Sequence, residues 1–140
     1  MTPVIFINCT GQPFVDQIIA RDKVYETRTR NTLKTLLESF IGERILIAET
    51  GYGKPVVRCS AIIDHYVIIY NRDQWEQRKP YRASYKELAM IPDGSQYDWK
   101  PDTKCKILYH LADVQPVEPF KLPDTCYRHG RVWAEYERSV

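Results

Sequence analysis

The chain has 140 residues, a formal net charge of +2 and four cysteines. That length suits a single domain, residues 1–140, able to bury roughly 65–70% of its unfolded surface. The near-balanced charge gives no general case for a polyanion partner. No segment approaches the roughly 18 apolar residues of a membrane span.

In chain order, Val4-Ile5-Phe6-Ile7 predicts a short buried strand, ended by the turn-prone Asn8-Cys9-Thr10-Gly11. The N-terminus has neither a basic region nor a long apolar stretch, so a signal peptide is not expected. Gln12 to about Ala20 predicts a helix with Phe14, Val15, Ile18 and Ile19 on one stripe. Asn31-Thr32 can cap a second helix carrying Leu33, Leu36, Leu37 and Phe40, with Gly42 as its stop. The period then changes to strands over Arg44–Glu49 and Val56 to about Ile69. Gly51-Tyr52-Gly53-Lys54-Pro55 joins them as a hairpin connection. As a phosphate-cradling loop it lacks both the Walker spacing and a following helix.

Residues 71–84 are polar, charged and aromatic without a period, which predicts a loop or an excursion. Ser84-Tyr85-Lys86-Glu87 fits a capping box for a short helix, closed by Pro92-Asp93-Gly94. Cys105–Val114 predicts another strand, and Pro116, Pro119 and Pro123 are expected to end regular structure beyond it. Arg131–Tyr136 alternates as a last strand. Five or six short strands with a few peripheral helices point to a small α+β barrel rather than a doubly wound sheet.

Cys9, Cys59, Cys105 and Cys126 form no C-x-x-C pair, so reduced thiols in a cytoplasmic protein are expected. His65, His110 and His129 are scattered as well, so spacing offers no metal cluster. No cofactor is implied.

The chemistry concentrates in Lys23-Val24-Tyr25-Glu26-Thr27-Arg28. Arg28 presents a planar fork that can clamp a phosphate, a carboxylate or a base edge, or pair with Glu26 on the same strand face. Glu26 either accepts from the exocyclic amine of a base or neutralises its cationic neighbours. A basic role for Lys23 needs its pKa lowered by burial or by cationic neighbours; Arg21 and Arg28 are set against Glu26, so Lys23 reads as a charged clamp. In a regular strand Lys23 points away from the other two, so convergence requires it to lie in the preceding turn or beyond a bulge. Basic residues also gather at 21–34 and 72–82, where Tyr25, Trp75 and Tyr81 are interleaved. Such groups can meet phosphates and stack bases, or simply face water. Among the aromatics, Trp75 and Tyr81 are the favoured stacking residues because loop 71–82 has little core character.

Gln12-Pro13-Phe14 opening a helix, followed by Lys23-x-x-Glu26-x-Arg28, resembles the ASCH domain and its G-x-K-x-x-E-x-R signature. Arg44–Ala48, Leu108–Val114 with Pro116-Val117-Glu118-Pro119, and Gly130–Trp133 continue the resemblance over most of the chain. It implies a PUA-like mixed β-barrel with a working cleft beside it, lined by Lys23, Glu26 and Arg28, and RNA or a modified nucleoside as partner. Some similar members hydrolyse N4-acylated cytidine, and others are described as ribonucleases. If this chain is such a hydrolase, Lys23 and Glu26 are its catalytic candidates.

Two departures stand out. The signature glycine is Arg21 here, which either strains the turn or changes it, and adds a basic group to the ligand-binding candidates. Members resembling the acylcytidine hydrolases carry a threonine nucleophile where this chain has Glu26. A hydrolase would then need Glu26 to activate water. Binding of RNA or a modified nucleoside is therefore the leading expectation, hydrolysis of an N-acylated nucleobase or RNA the alternative. A protein-interaction barrel, with a closed or shallow cleft, is a third reading.

Overall fold

The computed structural model describes residues 2–30, 40–80, 82–124, 126–129 and 133–136. Seven strands form one mixed sheet: β1 (Thr2–Asn8), β2 (Tyr25–Arg30), β3 (Arg44–Thr50), β4 (Val56–Ile69), β5 (Cys105–Lys121), β6 (Tyr127–His129) and β7 (Trp133–Tyr136). Three short helices accompany them: α1 (Phe14–Ile19), α2 (Arg72–Glu76) and α3 (Tyr85–Leu88). The strand order is β2-β5-β4-β3-β1-β7-β6. All described ladders are antiparallel except β1 with β3.

The expected α+β class holds, but the sheet is not closed into a barrel among the described residues. Its ends, β2 and β6, share no ladder. Residues 31–39 of the expected second helix fall outside the described residues, as does the start of the last strand.

β1 shows why the sequence makes a central strand. Val4 and Phe6 enter one apolar cluster with Ala48, Val57, Leu122 and Ala134, while Ile5 and Ile7 enter the larger cluster with α1. Alternate side chains leave opposite faces of a strand, so an unbroken apolar run fits a strand covered on both faces. Phe14, Val15 and Ile18 of α1 are buried against that larger core, as their spacing predicts. Gly51–Pro55 is the connection of the β3–β4 hairpin.

Two expectations about breaks are corrected. β5 continues through Pro116 and Pro119 to Lys121. Over that stretch it pairs with β4, whereas β2 covers it only from Cys105 to His110, so the missing proline N–H groups leave no two-sided ladder incomplete. A register shift between Val57 and Cys59, opposite Pro116, absorbs the rest.

Residues 71–84 are not simply a loop. Asn71 caps α2 by accepting from the Gln74 N–H at 2.9 Å. The capping box of α3 is present as expected, Ser84 and Glu87 each accepting from the other's backbone N–H. Asp98 joins the two helices: it accepts from the Trp75 indole (2.8 Å), the Lys86 ammonium (2.9 Å) and the N–H groups of Gly94 and Trp99. Burial opposes the ionised form of Asp98, yet Lys86, Trp75 and the two N–H groups hold its carboxyl far below the usual range.

Candidate functional site

The local chain path decides whether Lys23, Glu26 and Arg28 meet. α1 ends in a Schellman turn: Arg21 N–H donates to the Ile18 carbonyl at 2.9 Å, and Asp22 N–H to the Gln17 carbonyl at 3.0 Å. Arg21 occupies the left-handed position with φ of 65°, where glycine has no steric penalty. The Lys23 N–H also reaches the Gln17 carbonyl, at 3.1 Å. Lys23 therefore lies in the turn before β2, which is the condition its convergence requires.

Lys23, Glu26 and Arg28 line one cleft of about 830 Å³. Lys23 is 1% exposed, donates to the Ala89 carbonyl and sits 4.5 Å from the centre of the Phe14 ring. Burial lowers its pKa, with Arg28 adding to the effect and Glu26 opposing it. Glu26 is also buried; its Oε1 accepts from the Thr27 N–H and from Arg28, each at 3.0 Å. Glu26 Oε2 is buried without a hydrogen-bond partner.

Arg28 is the most committed of the three. Nη1 donates to Glu26 and, at 3.3 Å, to the Thr27 carbonyl; Nη2 donates to the Phe6 carbonyl at 2.9 Å. A guanidinium has five N–H donors, so Arg28 keeps donors beyond these three bonds, among them the buried Nε. The bland role of Arg28 as partner to Glu26 is thus real, and it leaves capacity for a ligand.

The remaining candidates lie elsewhere. Arg21 donates to the Val114 carbonyl at 3.1 Å and does not line the cleft. Trp75 is 0% exposed and belongs to the core, because its indole is drawn inward by Asp98. It is not a stacking surface. Tyr81 lies outside the described residues, and the described part of loop 71–82 contributes nothing to the cleft wall.

Sequence reasoning missed the other walls. Phe14, Ile91 and Tyr97 supply apolar surface, with Phe14 and Tyr97 edge to face at 5.6 Å. Asn8 lines the cleft too, and Gly53-Lys54-Pro55 of the β3–β4 hairpin forms its rim. The paired glycines of that hairpin were a visible signal; nothing around Tyr97 was. Cys9 is no nucleophile candidate, since burial pushes its thiol up to about 11.

No protein-family model and no curated protein matches the sequence. Among solved structures, an ASCH protein from Zymomonas mobilis is similar at 23% identity and TM-score 0.64, covering 86% of this chain and 73% of its own. A serine-to-alanine variant of the Zymomonas mobilis protein aligns over 98% of this chain and 89% of its own, at 20% identity and TM-score 0.66. Its tyrosine-to-phenylalanine variant gives 24% identity and TM-score 0.61, over 86% and 76% of the two chains. In topology and over most of its length, this chain has the ASCH fold.

Proposed function

We propose that the cleft binds RNA or a modified nucleoside through the edge of one base. The observation that carries this reading is Glu26 Oε2, a buried carboxylate oxygen without a partner in the wall of an 830 Å³ cleft. An exocyclic amine of cytosine or adenine would satisfy it, and an unpartnered buried acceptor is costly until something does. The volume lies within the range of small-molecule sites, roughly 300–1,000 Å³, and apolar walls with a few placed polar groups suit a flat heterocycle. Lys54, exposed on the rim and paired with Asp124 at 3.1 Å, can exchange that surface partner for a phosphate or ribose. A cleft of this size also favours a ligand over the protein-interaction reading.

The test is titration of cytidine, adenosine and a short single-stranded RNA into isotope-labelled protein. Shifts at Glu26, Arg28 and Tyr97 with saturation are expected, and weaker binding of RNA at higher salt. Shifts confined to other surfaces, or none, would remove the proposal.

Hydrolysis keeps one observation in its favour: Lys23, its pKa lowered by burial, lies in the same cleft as Glu26. In that reading Glu26 takes a proton from water as its oxygen adds to the acyl carbon, Lys23 with Arg28 stabilises the oxyanion, and Glu26 returns the proton to the leaving nitrogen as the C–N bond breaks. Turnover of N-acylated nucleosides, abolished in Glu26→Gln with binding retained, is the result it requires.

A further inference from the structure

Spacing in the sequence separates His65 from His110 by 45 positions, yet the β4–β5 ladder pairs them directly. One step earlier the ladder pairs Ile63 with Leu111. Two residues of β4 therefore advance against one of β5, and Asp64 is the extra residue of a β-bulge. In a regular strand Asp64 and His65 would leave opposite faces. The bulge brings both to the same place.

Asp64 Oδ1 lies 2.9 Å from His65 Nδ1 and 2.8 Å from His110 Nδ1. The imidazoles are stacked, with centroids 4.7 Å apart and planes at 17°, so both present Nδ1 to the carboxylate. One ligand atom from each of the three residues falls within a 4.8 Å cluster. None of the three lines the cleft.

We propose that Asp64, His65 and His110 bind a divalent transition-metal ion of the zinc class. Two imidazole nitrogens and a carboxylate oxygen are a borderline-soft donor set suited to zinc rather than calcium or magnesium. Tetrahedral zinc at about 2.0–2.1 Å holds its ligand atoms about 3.3 Å apart. The two carboxylate–imidazole separations of 2.8 and 2.9 Å need to open by a few tenths of an ångström, and the third, between the imidazole nitrogens, starts within the 4.8 Å that spans the cluster. The side chains of Asp64 and His65 are nearly half exposed, which gives the ion an entry path and leaves a position for water.

An outer partner is in place as well. His65 Nε2 lies 3.4 Å from the Tyr25 hydroxyl, and the Tyr25 ring packs edge-on against both histidines. With metal on Nδ1, the ring proton resides on Nε2 and the Tyr25 oxygen accepts it, fixing the tautomer.

The experiment is calorimetric titration of zinc chloride into thiol-alkylated protein, alongside His110→Asn and Asp64→Asn, each checked by circular dichroism. One equivalent is expected to bind, with the imidazole resonances of His65 and His110 shifting together. Each variant should lose at least about tenfold in affinity, as even outer-shell changes commonly cost 10–100-fold. Binding that is absent from folded wild-type protein, or equally strong in both variants, would overturn the site.

Discussion

Arg28 ties β2 to β1 through its side chain, its Nη2 donating to the Phe6 carbonyl at 2.9 Å. The described β1–β7 ladder runs only from Thr2 to Ile5, so this bond lies just past its end. The same guanidinium neutralises Glu26 at 3.0 Å. Arg28 thus holds together two strands that share no ladder and positions the carboxylate between them.

Removing that fork should cost stability as well as binding. Breaking a buried ion pair typically costs about 3–5 kcal/mol, and the 21% exposure of the Arg28 side chain argues for the lower end of that range. We expect Arg28→Ala to destabilise the fold by about 3 kcal/mol in urea denaturation. Adding Glu26→Gln should recover part of the loss, because the stranded charge is then gone. Arg28→Lys should keep the charge yet lose the simultaneous reach to Glu26 and Phe6.

Lys23 should shape the pH dependence of stability. Its folded pKa lies below the ordinary 10.5, so between those two values the unfolded chain binds more protons than the native one. Stability must then rise with pH across that window. Measured as melting temperature, wild type should gain on Lys23→Met as pH climbs towards 10.5. Parallel curves for the two proteins would contradict it.

Asp98 gives a slope of the same sign at the acid end, because its folded pKa is lowered too. Its folded pKa is depressed below 3.8, so its contribution is complete above that pH and is lost as pH falls through the folded value. Asp98→Ala leaves the Trp75 indole without its acceptor and Lys86 with only Asp93 and the more distant Glu76, a loss of about 1–3 kcal/mol at pH 7. Acid titration of wild type should show a falling stability below about pH 4 that Asp98→Asn largely lacks.

Arg21 offers a stabilising change. At a left-handed Schellman position, replacement by glycine relieves a penalty of about 1 kcal/mol. Loss of the Val114 contact offsets part of it, so Arg21→Gly should be stabilising by about 0.5 kcal/mol in denaturant titration. Cleft binding should not change, since Arg21 is not in its wall.

Local signals in the sequence reported local structure well. The apolar stripe of α1, the capping box at Ser84 and Glu87, and the hairpin at Gly51–Pro55 each depend on neighbours a few residues away. For Lys23 the sequence stated only the condition, a turn or a bulge before β2, and the turn at Arg21 is what meets it. Trp75 was not legible, because its burial depends on Asp98, 23 residues further on. The His65–His110 pair was hidden likewise: sheet register and one bulge create it, and neither leaves a mark in spacing. Pro116 and Pro119 misled because a strand paired on one side tolerates them.

The most direct measurement of base recognition in the cleft is a crystal of this protein soaked with cytidine and solved with the nucleoside located. The base is expected in the cleft against the apolar wall of Phe14, Ile91 and Tyr97, its amino group within hydrogen-bond distance of Glu26 Oε2 and its sugar towards Lys54. A nucleoside bound elsewhere, with Glu26 Oε2 still unpartnered, would contradict it.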